Sequence, residues 1–94
     1  MAGQAKPTQQ IDNERTRVTE WRFAPGDATG FHRHEMDYVI LPQTTGQLKL
    51  IGPDGSETFG DLVAGQPYFR KAGVEHDVIN ANDYEFVFIE VEFK

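Results

Sequence analysis

Apolar residues along this chain recur with a period of two, in short runs, and no stretch sustains the three-to-four spacing of a buried helix face. Thr16-Arg17-Val18-Thr19-Glu20-Trp21-Arg22-Phe23 is β-branched and aromatic, a composition suited to a pleated strand. Pro25-Gly26 breaks it. A second strand is predicted over 29–35 and an apolar, buried third over 37–41, ended by Pro42. Residues 47–51 alternate polar and apolar, and 57–63 return across Pro53-Asp54-Gly55-Ser56, where Pro presets φ for a turn. Short strands follow over 68–70 and 75–81, separated by Ala72-Gly73. The chain closes on Tyr84-Glu85-Phe86-Val87-Phe88-Ile89-Glu90-Val91-Glu92-Phe93. There Val87, Ile89, Val91 and Phe93 make one face wholly apolar, while Phe86, Phe88, Glu90 and Glu92 make the other half polar, as for a strand lying on a sheet face.

Short strands separated by Gly, Pro, Asn and Asp turns at intervals of about 8–12 residues predict an all-β sandwich or barrel. The 94 residues suit one domain. Residues 1–13 are polar and Gln-rich and are expected to form a flexible N-terminal segment, with 14–94 as the folded domain; an edge strand swapped onto a partner is the other option. A chain this short buries only about 60–65% of its unfolded surface. A homodimer is therefore expected, since it would add buried area and cover sheet edges.

Composition narrows the function classes. Seven Phe, three Tyr and one Trp, within 38% apolar residues, supply a core and argue against global disorder. The net charge is −6, with nine scattered basic residues. No basic face is available for nucleic acid or for an anionic membrane surface, so neither is expected as a partner. Cysteine is absent, which excludes disulfides, thiolate zinc sites and iron–sulfur clusters. With no apolar leader segment and no 18-residue apolar run, the expected location is the cytoplasm.

The three histidines carry the candidate chemistry. His32 and His34 sit in Gly30-Phe31-His32-Arg33-His34-Glu35, and His76 lies far downstream in Gly73-Val74-Glu75-His76-Asp77. On an extended strand, positions i and i+2 project to one face. Two rings aimed at one point, with a third from another strand, make a facial set for a divalent metal, and neutral imidazole is the commonest protein metal ligand.

Strand pattern and histidine spacing together resemble the cupin family, small β-barrels of the jelly-roll type. One family motif runs Gly, five residues, His-X-His, three or four residues, Glu, six residues, Gly; here Gly26 precedes His32-Arg33-His34 by five residues, and Gly46 closes it. The other runs Gly, five residues, Pro-X-Gly, two residues, His, three residues, Asn. Gly65, Gly73, His76 and Asn80 match it, with Lys71 in place of Pro. The resemblance spans roughly residues 16–94. It implies a single-domain cupin jelly-roll barrel with His32, His34 and His76 as metal ligands.

The first motif departs at its acid, where Tyr38 or Val39 stands in place of Glu. Strict alternation points Tyr38 towards the histidine face, whereas Glu35 and Asp37 point away. A bulge after His34 would re-aim Asp37. Asp37, Tyr38 and water are thus the candidate fourth neighbours, with Tyr38 or Asp37 to orient or protonate a ligand. Asn80 reads as a strand-end hydrogen bonder, and Gly26, Gly46, Gly65 and Gly73 as turn formers. Trp21, Phe31 and the C-terminal Phe residues read as core. Arg33, Arg70 and Lys71 read as solvated, with contact to an anionic substrate as the alternative should they line the barrel mouth.

A sulfur-free, three-imidazole set suits Fe(II), Mn(II), Ni(II), Co(II) or Zn(II). The expected function is metal-dependent chemistry on a small organic molecule in the barrel, of dioxygenase, lyase or isomerase type. The chain also looks like the small cupins associated with bacterial breakdown of β-alanine or related amino acids. The alternatives are a non-catalytic metal or small-ligand binding module and a degenerate structural barrel.

Overall fold

In the computed structural model the described residues are 3–94, and none of them is helical. The first two residues of the segment expected to be flexible lie outside that range. Among the described residues nine strands follow one another: β1 (Lys6–Asp12), β2 (Thr16–Phe23), β3 (His32–Arg33), β4 (Asp37–Pro42), β5 (Gly46–Ile51), β6 (Glu57–Leu62), β7 (Tyr68–Arg70), β8 (Glu75–Asn80) and β9 (Phe86–Phe93). They form a five-stranded sheet in the order β1-β2-β9-β4-β7 and a four-stranded sheet in the order β3-β8-β5-β6. Every ladder between these strands is antiparallel. This is the two-sheet jelly roll that the sequence resemblance implies.

Alternation decides what each sheet buries. Phe23, Tyr38, Ile40, Phe86 and Phe88 from the large sheet meet Leu48, Leu62 and Val78 from the small one in a single core. Phe23 and Phe88 pack with ring centroids 5.4 Å apart and planes inclined by 41°. β9 lies between β2 and β4, so its half-polar face, with Phe86, Phe88 and Glu90, looks inward. Its apolar face looks outward and joins a cross-strand row. Ile11 lies opposite Val18, Val18 opposite Val91, Val91 opposite Val39, and Val39 opposite Phe69. That row crosses all five strands of the large sheet, and Ile11 and Phe69 at its ends are about half exposed.

Three expectations need correction. Residues 6–12 form β1, paired along β2 from Lys6↔Arg22 to Asp12↔Arg17 with an irregularity between Gln9 and Ile11, where a flexible segment is expected. All seven side chains are exposed, so no apolar alternation marks the strand; the backbone ladder holds it. Just before it, Ala5 is fully buried, and its N–H donates to the Ala28 carbonyl at 2.9 Å. The strand expected over 29–35 shrinks to His32–Arg33, because Gly30 adopts φ 87° and interrupts the pairing with β8, leaving Ala28 as an isolated bridge to Ile79. Gly46 is no positive-φ turn former. It lies in β5, where a Cβ would sit 2.7 Å from Tyr84 Oη and 2.8 Å from Asn82 Oδ1; close approach, not φ, requires glycine there.

Candidate metal centre

Pairing of β3 with β8 sets His32 directly opposite His76. His34 lies just past the end of β3, yet the backbone stays tied. Its N–H donates to the Val74 carbonyl at 2.9 Å, and its carbonyl accepts from the Gly73 N–H at 2.8 Å. Gly73 has φ 103°, a conformation that L side chains rarely adopt; the Gly of the second histidine segment thus clamps the first. The i, i+2 projection survives although the regular strand does not.

The three imidazoles converge in space. Nε2 of His34 lies 3.1 Å from Nε2 of His32 and 3.1 Å from Nε2 of His76, and the rings are mutually edge-on. His32 Nδ1–H donates to the Gly30 carbonyl at 2.8 Å. That bond places the ring proton on Nδ1 and leaves the Nε2 lone pair facing the centre, the usual arrangement behind a metal-bound histidine. For metal–nitrogen distances of about 2.1 Å, cis ligands at right angles have nitrogens about 3.0 Å apart and tetrahedral ligands about 3.4 Å. The two spacings from His34 fit cis positions on an ion, and ligand atoms of all three histidines lie within 4.8 Å of one another.

Electrostatics favour the lone-pair form. Burial, then the nearby His32 and His76, pushes His34 down to about 4. Burial, then His32 and Arg70, pushes His76 down to about 4. Neutral imidazole is the state a metal requires. Behind His34, Nδ1 lies 3.7 Å from Glu90 Oε1. Burial, then Glu92, pushes Glu90 up to about 7, opposed by the Trp21 indole and Arg17. With His34 neutral and Glu90 shifted upward, this contact is a polar neighbour and not a standing ion pair at neutral pH. Sequence inspection passes over Glu90 as a site residue, although alternation along the last strand places an acid on the same face as Phe86 and Phe88.

Tyr38 and Asp37 separate clearly. Tyr38 is buried and stacks on His34 with centroids 3.9 Å apart and planes within 18°. Burial pushes its phenol above the ordinary range, so it stays protonated. Asp37 is exposed, and its Oδ1 accepts from the Ala72 N–H at 2.8 Å. It caps the turn before β8 and does not line the cavity, which corrects the option that a bulge brings it to the histidines. Asn80, 2% exposed, is a strand-end tie. Its Nδ2 donates to the carbonyls of Phe23, Ala24 and Tyr84, and its Oδ1 accepts from Asn82.

The histidines open into a cavity of about 270 Å³, roughly nine water-sized groups at about 30 Å³ each. Its apolar wall includes Trp21, Ile40, Leu48, Leu50 and Val78, and its polar groups include Tyr38, Arg70 and Glu90. Arg33 also lines it but is turned to Glu35 and Glu75, at 3.6 and 3.4 Å. Lys71 is not among the lining residues. Trp21 therefore belongs to the cavity as well as to the core margin, and Phe31 is exposed, contrary to a core role.

No protein-family model matches the chain. It is 60% identical over 91 residues to the β-alanine degradation protein BauB of Pseudomonas aeruginosa, covering 97% of this chain and 95% of that protein. A cupin domain from Bordetella pertussis superposes with a TM-score of 0.96 at 56% identity, covering 100% of this chain and 97% of that one. A cupin superfamily protein from Desulfitobacterium hafniense shares the fold, with a TM-score of 0.73 at 15% identity over 99% of this chain and 80% of that one.

Proposed function

This chain belongs to the cupin family, and from that premise we propose that its barrel holds one divalent transition metal on His32, His34 and His76 and acts there on a small organic molecule. The observation that carries this is the convergence of three Nε2 atoms at 3.1 Å spacing around His34. An imidazole set without sulfur accepts Fe(II), Mn(II), Ni(II), Co(II) or Zn(II). When bound, the ion supplies Lewis-acid polarisation of a coordinated ligand, and Fe(II) adds a redox step that Zn(II) lacks.

The chain's own residues define the rest. Tyr38 fixes the plane of His34 from one side, and Glu90 stands at its Nδ1. Because Tyr38 stays protonated, it is the candidate catalytic group, able to donate a hydrogen bond that orients a ligand in the cavity. Ile40, Leu48, Leu50 and Val78 exclude water and strengthen polar contacts inside. The name of the Pseudomonas aeruginosa relative supports a place in the breakdown of an amino acid or small acid, by dioxygenase, lyase or isomerase chemistry. The setting we take for this is the cytoplasm, where reducing conditions prevail.

The test loads the chain with Fe(II), Mn(II), Ni(II), Co(II) or Zn(II) in turn and offers a panel of short amino acids and small acids, following oxygen uptake and products by mass spectrometry. Uptake with Fe(II) alone supports oxygenase chemistry. Product without oxygen uptake supports lyase or isomerase chemistry. Metal and ligand bound without product identify a binding module instead, and failure to retain any of the five metals refutes the reading.

A further inference from the structure

Arg70 is the cavity's uncommitted cation. β7 pairs with β4 so that Arg70 lies directly opposite Tyr38, and opposed residues of a ladder share a face. Tyr38 faces the histidines, so the Arg70 side chain leaves the sheet on the cavity side, and it lines that cavity. Its guanidinium carbon rests 4.8 Å from the centroid of the Tyr68 ring, a cation–π contact that holds the fork in place.

The neighbouring charges are otherwise occupied. Arg33 is turned to Glu35 and Glu75, and Glu92 takes Arg17 at 3.8 Å. Arg70 forms no ion pair among the described residues, although Glu90 and Glu92 line the same cavity.

We infer that Arg70 is the anchor for a carboxylate, so that the molecule taken by this barrel is a short carboxylic acid whose charged end meets the guanidinium and whose other end faces the three histidines. This rests on the proposed metal site for its second contact, though not for its first. A planar fork of donors matches a carboxylate in two parallel hydrogen bonds. The cavity of about 270 Å³ accommodates a chain of a few carbons. The apolar wall accepts a methylene backbone between the two polar ends.

The test uses propanoate and its neutral counterpart propanamide. Trp21 is the single tryptophan of the chain and lines the cavity, so its fluorescence reports occupancy with or without metal. Full-length chain is titrated in Co(II)-loaded and metal-free forms, with the Co(II) visible spectrum as a second signal. Propanoate is expected to saturate the Trp21 signal at far lower concentration than propanamide. Arg70→Gln is expected to weaken propanoate by roughly ten- to a hundredfold while Co(II) content and propanamide binding hold. Equal propanoate affinity in wild type and Arg70→Gln, or no propanoate binding by wild type, overturns the inference. Should the chain take up no Co(II), Arg70-dependent propanoate binding to the metal-free form upholds the anchor, and retention of the other four metals decides the metal reading.

Discussion

Each imidazole of the trio is fixed by a different local device. His32 is set by a backbone carbonyl, His34 by a stacked phenol and a carboxylate, and His76 by its ladder position opposite His32. The shifts these environments impose have a direction in stability. Folded His34 and His76 refuse protons down to about pH 4, whereas the unfolded chain binds them near 6.5. Stability of the metal-free protein therefore rises with pH across that window. Glu90 opposes this, since the folded state keeps its proton up to about pH 7, and that contribution is lost as pH rises towards 7. Two histidines outweigh one carboxylate below about pH 6.5. Calorimetry on metal-free protein should find a higher Tm at pH 6.5 than at pH 5; the reverse order would contradict these environments. The histidines were legible in the sequence because i, i+2 spacing and the two family motifs mark them. Glu90 was not, because alternation gives its face but not the fact that β9 runs behind His34.

Among the elements, strands marked by apolar, β-branched or aromatic residues or by flanking turn residues were legible, and β1, without such a mark, was not. The strands over 16–23, 37–41 and 84–93 announce themselves by β-branched and aromatic composition, and they became β2, β4 and β9. β1 carries no such mark because both its faces are in water; its backbone ladder, the adjacent Ala5 and ion pairs from Asp12 connect it to the fold. The Lys94–Asp12 ion pair is exposed and adds little. Removing residues 1–12 uncovers the β2 edge and withdraws Ala5 from the core. Thermal denaturation should show Tm falling by roughly 5 °C or more, the equivalent of about 1 kcal/mol in a domain this size, with increased aggregation from the exposed edge. An unchanged Tm would mean that the β1 ladder contributes nothing.

At the scale of the molecule, two sheets enclose one core, and Tyr38, Ile40, Leu48, Val78 and Phe88 of that core also line the polar-centred cavity. The outward apolar row from Ile11 to Phe69 belongs to neither. A homodimer, expected from the small core, gives that row a use, since a sheet face packs on a symmetric copy of itself. Light scattering should return about twice 10.6 kDa, and a mass near 10.6 kDa would contradict the pairing. This outward face was only half legible: alternation in the last strand shows one apolar side, but the cross-strand row depends on registers that no single strand encodes.

Metal content per chain bears most directly on the barrel's chemistry. After loading with one divalent metal and exhaustive buffer exchange, elemental analysis by plasma mass spectrometry should find about one ion per wild-type chain and several-fold less in folded His76→Ala. Equal metal content in the two proteins would contradict a centre built from His32, His34 and His76.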